Sequence, residues 1–127
     1  MTIAYLCVLI AAVIPYICAG YAKFSGKGYD NSKPREFLET LEGKRRHAHY
    51  AQLNGFEAFP AFAAAVIIAY IAGVSPDRIT PLAVSFVVFR IFYSLAYIFD
   101  KSSLRTLVWF GGFLSVLSLF ILAMTRT

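Results

Sequence analysis

Four apolar runs set the limits on what this chain can become. They cover residues 3–24, 50–72, 81–99 and 104–124. A membrane-spanning helix needs about 20 mostly apolar residues to cross roughly 30 Å of hydrocarbon. Inside a bilayer there is no water for unpaired backbone groups, so a span must satisfy its own N–H and C=O groups. The sequence therefore predicts an all-α fold, an integral membrane four-helix bundle, as a single domain over residues 1–127. Composition agrees. Hydrophobic residues make up 59% of the chain, charged residues 15%, and the mean hydropathy is +0.66. Soluble domains are roughly 45–50% apolar.

No basic residue precedes the first run, which is longer than the apolar core of a cleavable signal. It is expected to stay as a span, kinked at Pro15. Residues 25–34 carry two glycines and an Asp-Asn-Ser cluster and read as a loop. Ser32, Lys33 and Pro34 then look like a helix start. A polar helix over 35–46 is expected to run on into 46–72, with Gly43 weakening it without ending it. Pro60 should bend that long helix. Residues 73–77 and 100–103 are short turns. Ala61 to Ala65 lets neighbouring helices approach, and Gly111, Gly112, Ser115 and Ser118 form a small-residue packing face. Cys7 and Cys18 are eleven residues apart. That is about 16 Å along a helix, too far to bridge, so both read as core fillers.

The net charge is +5, but the positive residues flank the apolar runs, where they set orientation. No nucleic-acid motif is present. Nine of the 12 lysines and arginines fall in the first loop region and the third turn, against Arg78 and Arg126 on the other side. The positive-inside rule then places both termini outside and the basic loop in the cytoplasm.

The candidate site starts in residues 44–62, where a basic run turns into an apolar one. Tyr50, Asn54 and Glu57 share one helical face. Arg90, Tyr93 and Tyr97 form a stripe on the third span, and Arg105 opens the fourth. A charge at membrane depth costs about 2.5–3.5 kcal/mol by insertion scales, so Arg90 and Glu57 are expected to pair or to hydrate. Counted from the outer span ends, Arg90 lies roughly 10 Å shallower than Glu57, and its long side chain must reach inward. One reading is a structural pair inside the bundle. The other is a polar crevice, in which Arg90 with Lys23 or Lys27 attracts an anion while Asn54 and Glu57 receive amide and ammonium groups. Arg105 at a helix N-terminus favours a thiolate. His47 and His49 do not share a helical face and have no partners at metal-ligand spacing, so no metal site is expected. No Ser/His/Asp arrangement or phosphate loop is present. The first span has no carboxylate, which argues against a four-helix proton-coupled antiporter.

These motifs together resemble the MAPEG family, the membrane-associated proteins in eicosanoid and glutathione metabolism. On the second span, Asn54, Glu57 and Pro60 follow the family's order after basic residues. On the third, Arg90, Tyr93 and Tyr97 match its Arg and two aromatic positions, and Arg105 falls near its helix-four arginine. The likeness covers nearly the whole chain and leans toward short bacterial-type members, which implies a bacterial inner membrane. It implies a homotrimer with glutathione held at subunit interfaces open to the cytoplasm, and a lipophilic electrophile as second substrate. By that resemblance Asn54 and Glu57 bind the tripeptide and Gln52 reaches a neighbouring subunit's site. Tyr93 and Tyr97 line the site and Arg105 stabilises the thiolate, making the chain a glutathione transferase-like enzyme. The glutathione-using members carry an arginine four residues before the Asn, where this chain has Tyr50. The alternative is a non-catalytic trimeric membrane module that binds lipid or a partner membrane protein.

Overall fold

The computed structural model describes residues 1–126. Five helices follow one another: α1 Thr2–Phe24, α2 Pro34–Glu39, α3 Gly43–Ile71, α4 Pro76–Ile98 and α5 Ser102–Thr125. All but α2 are long and apolar enough to cross a membrane. At 1.5 Å per residue the shortest of those four, with 23 residues, reaches about 34 Å. The helices α3 and α4 pack against each other through the middle. Both also pack against α1 on one side and α5 on the other.

Small residues set the helix spacing. A Cβ on Gly55 of α3 would stand 2.7 Å from Cγ of Pro15 on α1, so only glycine allows that approach. A Cβ on Gly111 of α5 would meet the Phe89 ring of α4 at 2.6 Å. Ser115, one turn on, is buried and returns its hydroxyl to the Gly111 carbonyl. The expected small-residue face thus packs α5 on α4. In the centre, the rings of Phe62 (α3) and Phe86 (α4) stack with centroids 3.9 Å apart, above a core that includes Ile79, Val66 and Leu119. The prolines at 15, 60 and 81 lie inside continuous helices.

Two boundaries differ from the sequence expectation. The polar helix does not run into the second span. It stops at Glu39, and α3 begins anew at Gly43, whose φ of +63° is a left-handed value that suits glycine. Leu38 and Leu41 of this corner bury against Ala22 and Ala48 and tuck the short α2 beneath the bundle. The third span starts at Pro76, five residues before the expected Pro81. Ser75 at the N-cap and Pro76 at the first helical position are ordinary start signals, and the charged pair Asp77–Arg78 sits in the first turn instead of a loop.

Both turns that join the later spans close with the same device. After α3, Gly73 (φ +85°) donates to the Tyr70 carbonyl, and Val74 donates to the Ala69 carbonyl, each at 3.0 Å. After α4, Asp100 (φ +58°) donates to Tyr97 at 3.2 Å, and Lys101 donates to Ala96 at 2.8 Å. This is the Schellman pattern, which satisfies the last helical carbonyls.

Arg45 ties the basic end together. Its guanidinium donates to the backbone carbonyls of Ala22 (2.9 Å) and Lys23 (3.1 Å) at the C-terminus of α1, and to that of Lys27 (3.4 Å) in the loop that follows. The Ala22 and Lys23 carbonyls have no helical partner and carry the negative end of the helix dipole. In the loop, Asp30 accepts from the hydroxyl and backbone N–H of Ser32 at 2.6 and 2.9 Å. These two bonds hold its carboxyl below the usual range.

Candidate functional site

The polar residues of the spans gather where α3, α4 and α5 meet. Arg90 on α4 is 5% exposed and donates to Oδ1 of Asn54 on α3 at 2.8 Å. Its guanidinium carbon also lies 4.2 Å from the centroid of Tyr93, one turn on. Tyr93 meets Tyr97 edge to face at 5.7 Å. Arg105, in the first turns of α5, lays its guanidinium over the Tyr97 ring at 4.5 Å. A continuous line of contacts therefore runs from Asn54 through Arg90, Tyr93 and Tyr97 to Arg105. Cation–ring contacts of this kind contribute about 0.5–2 kcal/mol each and hold the arginines in place.

The earlier start of α4 explains why this line forms. Arg90 is fourteen residues from the Pro76 end of α4, and Glu57 is fourteen from the Ile71 end of α3. The 10 Å depth gap expected from the sequence closes. At equal depth, Arg90 bonds the neutral Asn54 one turn away from Glu57, and not the carboxylate itself. Glu57 is exposed on the surface of the single chain, yet it borders the same cavity as Arg90.

Two cavities flank this line. The first, about 230 Å³, lies between α3, α4 and α5, with Ala58, Ala61, Phe86, Phe113 and Val116 among its walls and Asn54, Glu57 and Arg90 at its polar end. The second, about 210 Å³, is bordered by Asn54, Tyr93, Arg105, Thr106 and Trp109. Asn54 and Trp109 border both. Ligand sites usually enclose about 300–1,000 Å³, so neither cavity alone reaches that size, whereas the two together do.

Most of the residues singled out in the sequence come together here, and one chain supplies both walls. The wall formed by Arg90, Tyr93, Tyr97 and Arg105 needs no neighbouring subunit to meet Asn54. Gln52 borders neither cavity, and its side chain faces His49 at 3.4 Å. Tyr50 lies 6.2 Å from Tyr97, ring to ring, and the Arg46 guanidinium stands over the Tyr50 ring at 6.0 Å. Lys23 stands over the Tyr29 ring at 5.1 Å, in the loop corner away from both cavities.

Trp109 and Phe113 were not anticipated, and Gly112, expected only as a packing residue, also borders the first cavity. Trp109 and Phe113 stack at 5.3 Å with 7° between their planes. The spacing Arg105, Trp109, Phe113 is i, i+4, i+8, one helical stripe that begins at the candidate arginine. In a span where nearly every residue is apolar, that stripe gives no contrast to read. His47 had no role in the sequence beyond the absence of metal-ligand spacing. Its ring lies 5.8 Å from Tyr97, and its Nδ1 is buried without a partner.

Fold and site define a polytopic helical membrane protein with a polar, arginine-bearing site shared by three of its spans. The family model described as MAPEG family matches residues 3–125, and the chain belongs to the MAPEG family. No curated protein and no solved structure matches it.

Proposed function

We propose that this protein is a glutathione transferase-like membrane enzyme that joins a thiol to a lipophilic electrophile. The observation that carries this reading is the pair of adjoining cavities: one polar, beside Arg105, and one largely apolar, meeting it at Asn54 and Trp109. A transfer between a water-soluble thiol and a membrane-dissolved partner requires such a boundary. The tripeptide lies along Asn54 and Glu57, with its sulfur toward Arg105. There the guanidinium and the first-turn N–H groups of α5 favour the thiolate. Tyr93 borders the same space and supplies a hydroxyl to the sulfur. Arg90 fixes the Asn54 amide, and the thiolate then attacks an electrophile that entered from the bilayer.

Glu57 supports assembly into a homotrimer. A carboxylate exposed on a single chain within the second apolar run is costly against lipid, and a neighbouring copy removes it from that contact. In this reading Gln52 reaches the neighbour's site, and the basic loop faces the cytoplasm of a bacterial cell.

A second reading draws on the Arg90–Asn54 bond, which by itself locks α4 to α3 and would suit a non-catalytic trimeric module that binds lipid or a partner membrane protein. Purified protein in detergent separates the two. Glutathione raises the unfolding temperature of the wild type, and Arg105→Ala and Glu57→Ala abolish that shift along with conjugation of a hydrophobic aryl halide. A wild type that shows neither response to glutathione overturns the enzymatic reading.

A further inference from the structure

A groove of about 240 Å³ lies between α1 and α4 and shares no lining residue with the two cavities of the site. Ile14, Ile17 and Tyr21 on α1 and Ile91, Leu95 and Ile98 on α4 line it. On each helix the spacing makes one stripe. From Ile91 to Ile98 the stripe runs about 10 Å along the axis. Ile17 and Leu95 are exposed, so the groove opens sideways, where a spanning chain meets lipid tails.

One wall residue breaks the apolar pattern. Ser94 is 7% exposed, lines the groove, and its hydroxyl oxygen is buried without a hydrogen-bond partner. Ser85, Ser115 and Ser118 each return their hydroxyl to the carbonyl four residues earlier. Ser94 does not, so its donor is left for an acceptor carried by an occupant.

The mouth of the groove is basic. Tyr21 and Ile98 fall in the last turns of α1 and α4. The Lys44 ammonium stands 4.9 Å over the ring of Phe99, the residue after Ile98, and Lys101 is exposed in the turn beyond. The nine lysines and arginines of this end outnumber its carboxylates, Asp30, Glu36, Glu39, Glu42 and Asp100.

We propose that this groove binds a glycerophospholipid with an anionic headgroup. One acyl chain lies along the isoleucines, an ester carbonyl accepts from the Ser94 hydroxyl one turn inside the mouth, and the headgroup meets Lys44 and Lys101. The order of the groove, apolar then one donor then cations, is the order of chain, ester and phosphate in such a lipid. A basic residue near the membrane surface strengthens binding to anionic lipid about fivefold. This goes beyond the thiol reaction and does not rest on it.

The test uses the full chain purified in a neutral detergent, with native mass spectrometry counting bound lipids during titration. The probes are phosphatidylglycerol and phosphatidylcholine with the same chains, soluble glycerophosphoglycerol, and oleate. Phosphatidylglycerol is expected to bind at least tenfold tighter than phosphatidylcholine. The double variant Lys44→Gln, Lys101→Gln loses at least tenfold for phosphatidylglycerol and leaves phosphatidylcholine unchanged. Ser94→Ala weakens both lipids about fivefold, and Ser94→Leu, which fills the groove, weakens them further. Circular dichroism checks folding; if Ser94→Leu does not fold, Ser94→Ala and the lysine variant decide. Equal affinity for the two phospholipids, Ser94→Ala and folded Ser94→Leu binding like wild type, or glycerophosphoglycerol or oleate binding as tightly as phosphatidylglycerol overturns the proposal. So does a Ser94→Leu protein whose oligomeric mass falls while lipid binding holds, which makes a second copy of the chain the occupant. A wild type that retains phosphatidylglycerol and ignores glutathione leaves the groove standing and removes the thiol reading instead.

Discussion

Replacing Asn54 by Leu should leave Arg90 buried with its acceptor removed. Hydrogen bonds to charged groups contribute about 1.5–3 kcal/mol in soluble proteins, while neutral interhelical bonds in membranes average about 0.6 kcal/mol. Arg90 is 5% exposed and its bond to Asn54 is 2.8 Å, which places it toward the charged case. It also borders a cavity, so water can reach part of the guanidinium. These opposing effects give an expected loss of about 1.5–2.5 kcal/mol for Asn54→Leu. Arg90→Met removes the charge and keeps the stem volume. The double variant should then be less damaged than the sum of the single ones, because no stranded charge remains. The assay is reversible unfolding in mixed micelles, run as a double-mutant cycle. A coupling of about 1–2 kcal/mol is expected. Additivity within about 0.5 kcal/mol, the usual result for independent sites, would refute the claim that this bond organises the site.

Three further outcomes follow from the packing and the turns. Gly55→Ala forces a Cβ to within 2.7 Å of the rigid Pro15 ring and should cost about 1–3 kcal/mol in the same unfolding assay, with Pro15→Ala restoring part of it. Asp100 holds φ +58°, so Asp100→Gly should be neutral or stabilising while Asp100→Val lowers the unfolding temperature. Asp30 has a carboxyl held below its ordinary value by Ser32. Its contribution is therefore present above the unfolded value of about 3.9 and is lost as pH falls through the lower folded value. Carboxyl NMR should show the Asp30 midpoint moving up in Ser32→Ala, though only part of the way, because the backbone N–H bond remains.

The spans were legible because a bilayer demands long apolar runs and little else resembles them. The start of α2 was legible from Pro34. The site stripe of Asn54, Glu57, Arg90, Tyr93 and Tyr97 stood out because polar groups contrast with an apolar background. Where that contrast failed, the reading failed. Trp109 and Phe113 are apolar among apolar neighbours. Arg45 looked like one more orienting charge, since its carbonyl partners lie 18 to 23 residues away in sequence. The α4 start was misplaced because Asp77 and Arg78 read as loop, although Ser75–Pro76 carried the start signal. That slip of five residues set Arg90 roughly 10 Å shallower than Glu57, whereas the two lie at equal depth and Arg90 bonds Asn54.

The central claim is that the polar cavity stabilises a thiolate beside Arg105. The ultraviolet difference spectrum of glutathione bound to the protein at neutral pH tests it most directly, because thiolate and thiol absorb differently. Wild type should show a saturable thiolate band, and Arg105→Ala should lose it while remaining folded. Glutathione that binds wild type without the band, or a band undiminished in Arg105→Ala, would contradict the claim.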